Sequence, residues 1–270
     1  MRRFAALWLC AGCALPVVSA GTFLPAGDLQ PGEFHASASL EAGRVLAGPS
    51  DVHDLPATPP DARSFDVSTW IASDLSLRWQ QSRRLTLEGQ LKFTNPVVPF
   101  EPALVGGAVG ARLRLKEHSA GGDLALELGA RAVGVGVQQS ITRSADGRTQ
   151  VDQWSYRSFG FEVPLIASYR VNPLFAVTAS PFLRAYWIRA WHDQRETVTA
   201  TDGTVTALPQ TQAALQWSPV LSGGVGVSAA FDLGPVQIAP NVALELATRP
   251  GPQAVTQVLF EPGVAVGTKF

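Results

Sequence analysis

Cysteine is nearly absent. The chain has two in 270 residues, Cys10 and Cys13, so beyond them neither a disulfide nor a thiolate metal site can form. Charge is sparse as well: Asp, Glu, Lys and Arg make up 16% of the residues, and the net charge is −1. That excludes the concentrated Lys and Arg excess on which phosphate-backbone binding depends, so no nucleic-acid partner is expected. After the first twenty residues no stretch holds 18 consecutive apolar side chains, which excludes a membrane-spanning helix. A Gly-rich phosphate loop, HExxH and GxSxG are missing too, and no cofactor is expected. What is plentiful is hydrophobic residues at 46%, with 25 Gly and 20 Pro, the composition of a turn-rich β protein.

The opening residues have their own pattern. Arg2 and Arg3 are positive, Phe4 to Gly12 is apolar, and Pro16 precedes the small-residue site Val18-Ser19-Ala20. This order predicts an export signal at 1–20, cleaved after Ala20, and a mature chain at 21–270. Cys10-Ala11-Gly12-Cys13 also resembles a bacterial lipoprotein box with lipidation at Cys13, although it carries Cys10 where such boxes carry Leu. Cleavage after Ala20 is the expectation adopted.

Beyond the signal, period-two alternation recurs. Arg84 to Asn95 puts Leu85, Leu87, Gly89, Leu91 and Phe93 on one face and Thr86, Glu88, Gln90 and Lys92 on the other. Ten such segments, at 33–47, 67–80, 84–95, 103–116, 123–140, 153–171, 174–191, 212–231, 235–247 and 255–270, predict ten strands. Each is long enough for the roughly 9 to 11 residues with which a tilted strand crosses a bilayer, and longer than the roughly 5 to 6 of an average soluble strand. Pro164, Pro181, Pro219, Pro240 and Pro262 fall inside these segments and remove ladder donors, so they are expected at bulges or near the rims.

The connections alternate between short and longer. In an up-and-down antiparallel sheet alternate connections share an end, so the short turns QSRR, EHSAGGD, VNP and DLGP gather on one side and the longer loops on the other. Asp146-Gly147 and Asp202-Gly203 suit tight hairpin turns, and strands five to eight are expected to project beyond the rest.

One phase of the alternation is apolar, as in Phe159, Phe161, Val163, Leu165, Ala167 and Tyr169, or Trp217, Leu221, Val225, Val227 and Phe231. The opposite phase collects the charge: Glu41, Asp74, Glu88, Glu127, Glu162, Glu245 and Glu261 against Arg78, Lys92, Arg112, Arg114, Arg131, Arg170 and Arg184. An Arg or Lys at the bilayer midplane costs roughly 2 to 4 kcal/mol, so the charged face is expected to line a lumen. Trp70, Trp154, Tyr156, Trp187, Trp191 and Trp217 lie near the long-loop ends of their strands, and Trp79, Tyr169, Phe175, Phe231 and Phe270 near the short turns. Two such bands suit interfacial girdles. The predicted fold is all-β: an up-and-down antiparallel transmembrane β-barrel of about ten strands.

The closing residues VLFEPGVAVGTKF alternate as well. They resemble the closing strand of bacterial outer-membrane β-barrel proteins, whose final aromatic residue and alternate apolar positions are read by the barrel-assembly machinery. Val264, Val266 and Phe270 match that pattern, Thr268 fits less well, and Pro262 is unusual. The resemblance implies an outer-membrane address in a Gram-negative envelope, with outer-membrane lipid, lipopolysaccharide and the barrel-assembly machinery as partners.

Candidates for chemistry are few. The histidines are His35, His53, His118 and His192. Asp51-Val52-His53-Asp54 and His192-Asp193, both in loops, look faintly like the omptin proteases, where a His and acidic residues activate water at the barrel mouth. The paired aspartates of that family are missing, and no enzymatic activity or metal site is expected. Inside the barrel, balanced charge predicts a paired, largely blocked network, since a selective pore would favour one sign. Gly224, Gly226, Gly263 and Gly267 leave some space, which keeps a narrow solute channel as the alternative. Otherwise the barrel is expected to be a scaffold whose loops contact envelope proteins or surface polysaccharide, as a subunit of a secretion or gliding-motility machine could.

Overall fold

The structure, a computed structural model, describes residues 25–47, 51–52, 65–66, 69–94, 103–118, 124–145, 147–200, 203–250 and 255–270. In chain order the strands are β1 (Phe34–Ala47), β2 (Asp51–Val52), β3 (Phe65–Asp66), β4 (Thr69–Gln80), β5 (Leu85–Thr94), β6 (Ala103–Lys116), β7 (Leu124–Ala145), β8 (Arg148–Asn172), β9 (Phe175–Thr199), β10 (Val205–Ala207), β11 (Thr211–Leu233), β12 (Val236–Arg249) and β13 (Val255–Lys269). β2 and β3 pair only with each other, and β10 only extends β9. The ten remaining strands pair antiparallel in sequence order, and β13 returns to β1 from His35↔Lys269 to Ala47↔Val258. The sheet is therefore a closed up-and-down barrel, with no helix among the described residues.

Alternation decides which side chain meets which surface. Along β8, Phe159, Phe161, Val163, Leu165 and Tyr169 are exposed on the outer wall, while Ser158, Glu162, Ile166 and Ser168 are buried in the lumen. Trp187 and Trp217 stand outward and cluster on Phe159, with ring centroids 5.5 and 5.2 Å away. At the turn end, Phe34 stacks between Trp79 and Phe270, 5.8 Å from each. Tyr156 corrects the expected aromatic band: it is 2% exposed and points inward, because it shares the even phase of Ser158 and Glu162. Trp70 and Trp154 are described by backbone alone.

Three strands outrun their predicted ends. The ladder between β7 and β8 continues from Ser140↔Gln153 to Ala145↔Arg148, where Gly147 takes a φ of 73°. Likewise β9 reaches Thr199, whereas β11, from Thr211 to Leu233, lies within two residues of its predicted range. The apolar signal stops earlier than the pairing, because backbone hydrogen bonds persist where both faces are polar.

The prolines also depart from expectation. Pro219 lies beside the register shift between Leu215 and Ser218. The other four sit within strands, where one neighbouring ladder is interrupted and then resumes in register. Pro164 falls between Leu128↔Leu165 and Arg131↔Glu162, and Pro240 between Ser228↔Asn241 and Phe231↔Ile238. Pro181 falls between Pro164↔Phe182 and Ala167↔Ala179, and Pro262 between Glu41↔Gly263 and Arg44↔Phe260. A strand residue directs its N–H and C=O to the same neighbour, so each missing donor coincides with a local gap, while the proline keeps its pair on the opposite side, as in Pro164↔Phe182, Val225↔Pro181, Pro240↔Val264 and Val242↔Pro262.

Close packing of the lumen gives a contrast between two glycines. A Cβ at Gly160 would fall on Tyr186 and on the Ala185 carbonyl, whereas one at Gly89 meets nothing within 4 Å. Gly160→Val is expected to lower stability by about 1 to 3 kcal/mol, and Gly89→Val to change it by less than about 0.5 kcal/mol, measured by denaturant unfolding of the lipid-reconstituted barrel.

Candidate functional site

The lumen holds the chemistry of this chain, and it is stacked in three layers. The middle layer is a chain of ion pairs crossing strand after strand. Arg112 on β6 contacts Glu88 on β5 at 2.7 Å, and Arg131 on β7 lies 3.7 Å from the same carboxylate. Arg131 also pairs with Glu162 on β8, which Arg184 on β9 reaches at 2.6 Å, and Arg184 contacts Glu245 on β12 at 2.5 Å. Farther along β5, Lys92 bridges Glu41 on β1 at 2.8 Å and Asp74 on β4 at 3.0 Å. Between these groups Glu261 is 3% exposed, and neither of its carboxylate oxygens accepts a hydrogen bond. Arg170 is half-buried near the turn end and joins no ion pair with a described residue.

The layer at the turn end is one that the strand pattern could not reveal. Residues 25 to 32 precede β1 and fold into the barrel mouth, where Ala26 and Leu29 are fully buried. The Ala26 amide donates to Ser168 Oγ at 2.7 Å and the Gly27 amide to Glu127 Oε1 at 2.9 Å. Arg78 donates to the Pro25 carbonyl and to Asp28, and Arg114 to the Leu29 carbonyl at 3.0 Å. Arg114 also lies 3.4 Å from Glu127. Gly27 has a φ of 65° and sits where a Cβ would lie 2.9 Å from Ala125 Cβ, so the turn needs glycine there. Burial alone would push the Asp28 carboxyl up, but the Arg78 guanidinium, with Lys269 and His35 nearby, holds it below the ordinary 3.8.

At the loop end the lumen is apolar. Tyr186, Ile188, Val220, Ala247 and Leu259 form a buried cluster against Val45. The inward glycines leave less room than their composition suggests. A Cβ at Gly224 would meet Phe182, one at Gly263 would meet Glu41 and Asn241, and one at Gly267 would meet His35. The cavity lined by Arg78, Glu88, Gln90, Arg112 and Arg131 measures about 20 Å³, as does the one beside Glu162, Arg184 and Tyr186. Each holds about one water molecule.

Several sequence candidates lie elsewhere. Ala20, His53 and Asp54 are outside the described residues, and Asp51 and His192 are described by backbone alone. Asp193 is engaged by Arg195 at 3.1 Å and by Gln210. No three His, Cys, Asp or Glu side chains among the described residues are grouped to hold a metal ion. Val264, Val266 and Phe270 stand exposed on the outer wall of β13 and at its end.

No protein-family model and no curated protein matches the chain. Solved structures similar to it include the outer membrane protease OmpT from Escherichia coli, at 9% identity and a TM-score of 0.49, covering 89% of this chain and 97% of that one. Another is Ail, the attachment invasion locus protein of Yersinia pestis, at 10% identity and a TM-score of 0.32, covering 89% and 100%. A third is the translocator domain of the autotransporter NalP from Neisseria meningitidis, at 11% identity and a TM-score of 0.38, covering 90% of each chain. At identities this low, none of their roles transfers to this chain.

Two outcomes follow from the lumen. Glu162→Gln, which takes a shared acid from Arg131 and Arg184, is expected to cost about 3 kcal/mol, whereas Glu261→Gln leaves stability unchanged or raises it; paired unfolding curves check both. Because the Asp28 carboxyl is held low in the folded chain, its contribution is fully present above the unfolded value of 3.8 and is lost as pH falls through the lower folded value. The amide-exchange protection factors of residues 26 to 32 are therefore expected to be high at pH 7 and to be lost only as pH falls below the ordinary carboxylate value of 3.8.

Proposed function

We propose that this chain is an integral outer-membrane protein of a Gram-negative envelope that acts as a rigid, sealed scaffold and not as a catalyst. Its tall hairpins would stand on the cell surface for contact with envelope proteins or surface polysaccharide. One observation carries the proposal: the lumen is filled at both ends and in the middle, while β7, β8, β9 and β11 rise far above their neighbours. A sealed interior leaves the outer wall and the projecting strands as the working surfaces.

Dimensions support the membrane part. The exposed apolar run on β8 extends from Phe159 to Val171, about 40 Å at roughly 3.3 Å per residue. Tilted by about 45°, it is about 28 Å tall, close to the roughly 25 Å apolar band of an outer-membrane barrel. β8 itself has 25 residues, so about half of it lies outside that run. In this proposal residues 1–20 are an export signal cleaved after Ala20. Val264, Val266 and Phe270 then offer the outward pattern that the barrel-assembly machinery reads, and lipopolysaccharide and other outer-membrane lipids surround the belt.

The narrow solute channel is the competing proposal, because the segment at 25–32 is a separate piece of chain that could leave the mouth. Even then the ion-pair layer and the apolar cluster remain in the path. Expressed from its full sequence, the processed chain is expected in outer-membrane fractions, to migrate differently on a denaturing gel before and after boiling, and to give no steady conductance in planar bilayers. Recovery from soluble fractions would refute the address, and steady open currents would favour the channel.

A further inference from the structure

Two arginines interrupt the outer wall where the apolar belt ends. Arg157 on β8 and Arg189 on β9 are directly opposite each other across the ladder, one outward step above the pair formed by Phe159 and Trp187. Both flank one indole: the Arg157 guanidinium carbon lies 5.0 Å from the Trp191 ring centroid and that of Arg189 5.9 Å. Both are exposed, and neither pairs with a described acidic residue. Asp193, two positions beyond Trp191 on the same strand, is already engaged by Arg195 and Gln210.

Like charges directly opposite on adjacent strands destabilise a sheet. An anion between them reverses the sign of that interaction, and a planar guanidinium pair is suited to the several oxygens of a phosphate. Height decides which phosphate fits. The arginines stand just above Phe159, Trp187 and Trp217, whose clustered rings mark the level where hydrocarbon gives way to headgroups. Trp191 meanwhile holds both guanidinium groups by its ring face, at the same level.

We infer that Arg157, Arg189 and Trp191 form a binding site for the phosphate of an anionic glycolipid headgroup in the leaflet facing the long loops. The inference rests on the outer-membrane proposal above, because a lipid phosphate reaches this height only if the belt below it is in a bilayer. The shared chemistry is an anionic phosphoryl group, carried by the glycolipid as a phosphate monoester and also available as free inorganic phosphate. The site deepens the role of scaffold: it would fix the barrel's depth and attach the base of its tall wall to the glycolipid layer.

The test uses the full-length chain folded in detergent micelles, with native mass spectrometry as readout and three probes: lipid A bearing phosphates, the same glycolipid dephosphorylated, and inorganic phosphate. The wild type is expected to retain the phosphorylated form about tenfold more strongly than the dephosphorylated one. In the double variant R157Q/R189Q that preference disappears while the heat-dependent gel mobility stays, since both side chains lie on the outer surface and leave the ladder intact. Equal retention of the two glycolipids by the wild type, or an unchanged preference in the double variant, overturns the site. Displacement of the glycolipid by inorganic phosphate at equal concentration overturns the lipid as its ligand. Cell fractionation separates the two claims: a preference lost on substitution supports the phosphate site even if fractionation rejects the outer-membrane address.

Discussion

A strand crossing hydrocarbon has no water to satisfy its peptide groups, so every N–H and C=O must find a partner in another strand. The pairing of β13 with β1 meets that demand, since without it two edges of a ten-stranded sheet would face lipid. The rest of the architecture follows from closure. Once the ring is shut, each residue has only two directions, outward or inward, and successive residues must alternate between them. The prolines respect the same constraint. Each of the four that lie away from a register shift loses pairing on one side and keeps its own pair on the other.

Inside the ring, a charged residue loses water and has to recover the loss from its neighbours. The run from Arg112 through Glu88, Arg131, Glu162 and Arg184 to Glu245 does so by sharing: each internal member touches two partners from different strands. Such networks are weak evidence for stability, but they do fix register and rotamer, because a slip by one residue would turn every one of these charges toward lipid. The turn-end segment obeys the same logic. Its amides and carbonyls use Ser168, Glu127, Arg78 and Arg114, side chains that would otherwise face the open mouth.

Much of this could be read from the sequence because the bilayer and closure impose strict periodicity. The ten strands, the apolar face and the charged face all express period two, and β1, β5, β6 and β13 lie within a few residues of their predicted ranges. Where polarity no longer alternates, the signal fails, so β7, β8 and β9 run further than their apolar residues indicate. Tyr156 has an aromatic ring suited to a girdle, yet phase and not ring chemistry decides its side. Residues 25 to 32 carry no period at all. Their burial depends on Gly27 and Asp28 meeting groups about 50 to 100 positions away, a long-range relation that no local pattern contains. Arg157 and Arg189 were equally hidden, since their opposition depends on the register between two strands.

The central claim is that odd positions on β8 meet hydrocarbon and even positions meet a sealed, polar lumen. Single cysteines can be placed in turn from 158 to 169 because cysteine occurs naturally only at positions 10 and 13. After fluorescent labelling of the barrel in vesicles, quenching by brominated acyl chains reads contact with lipid at each position. The account predicts strong quenching at 159, 161, 163, 165, 167 and 169 and little at the positions between them. Quenching without alternation, or strongest at the even positions, would contradict it.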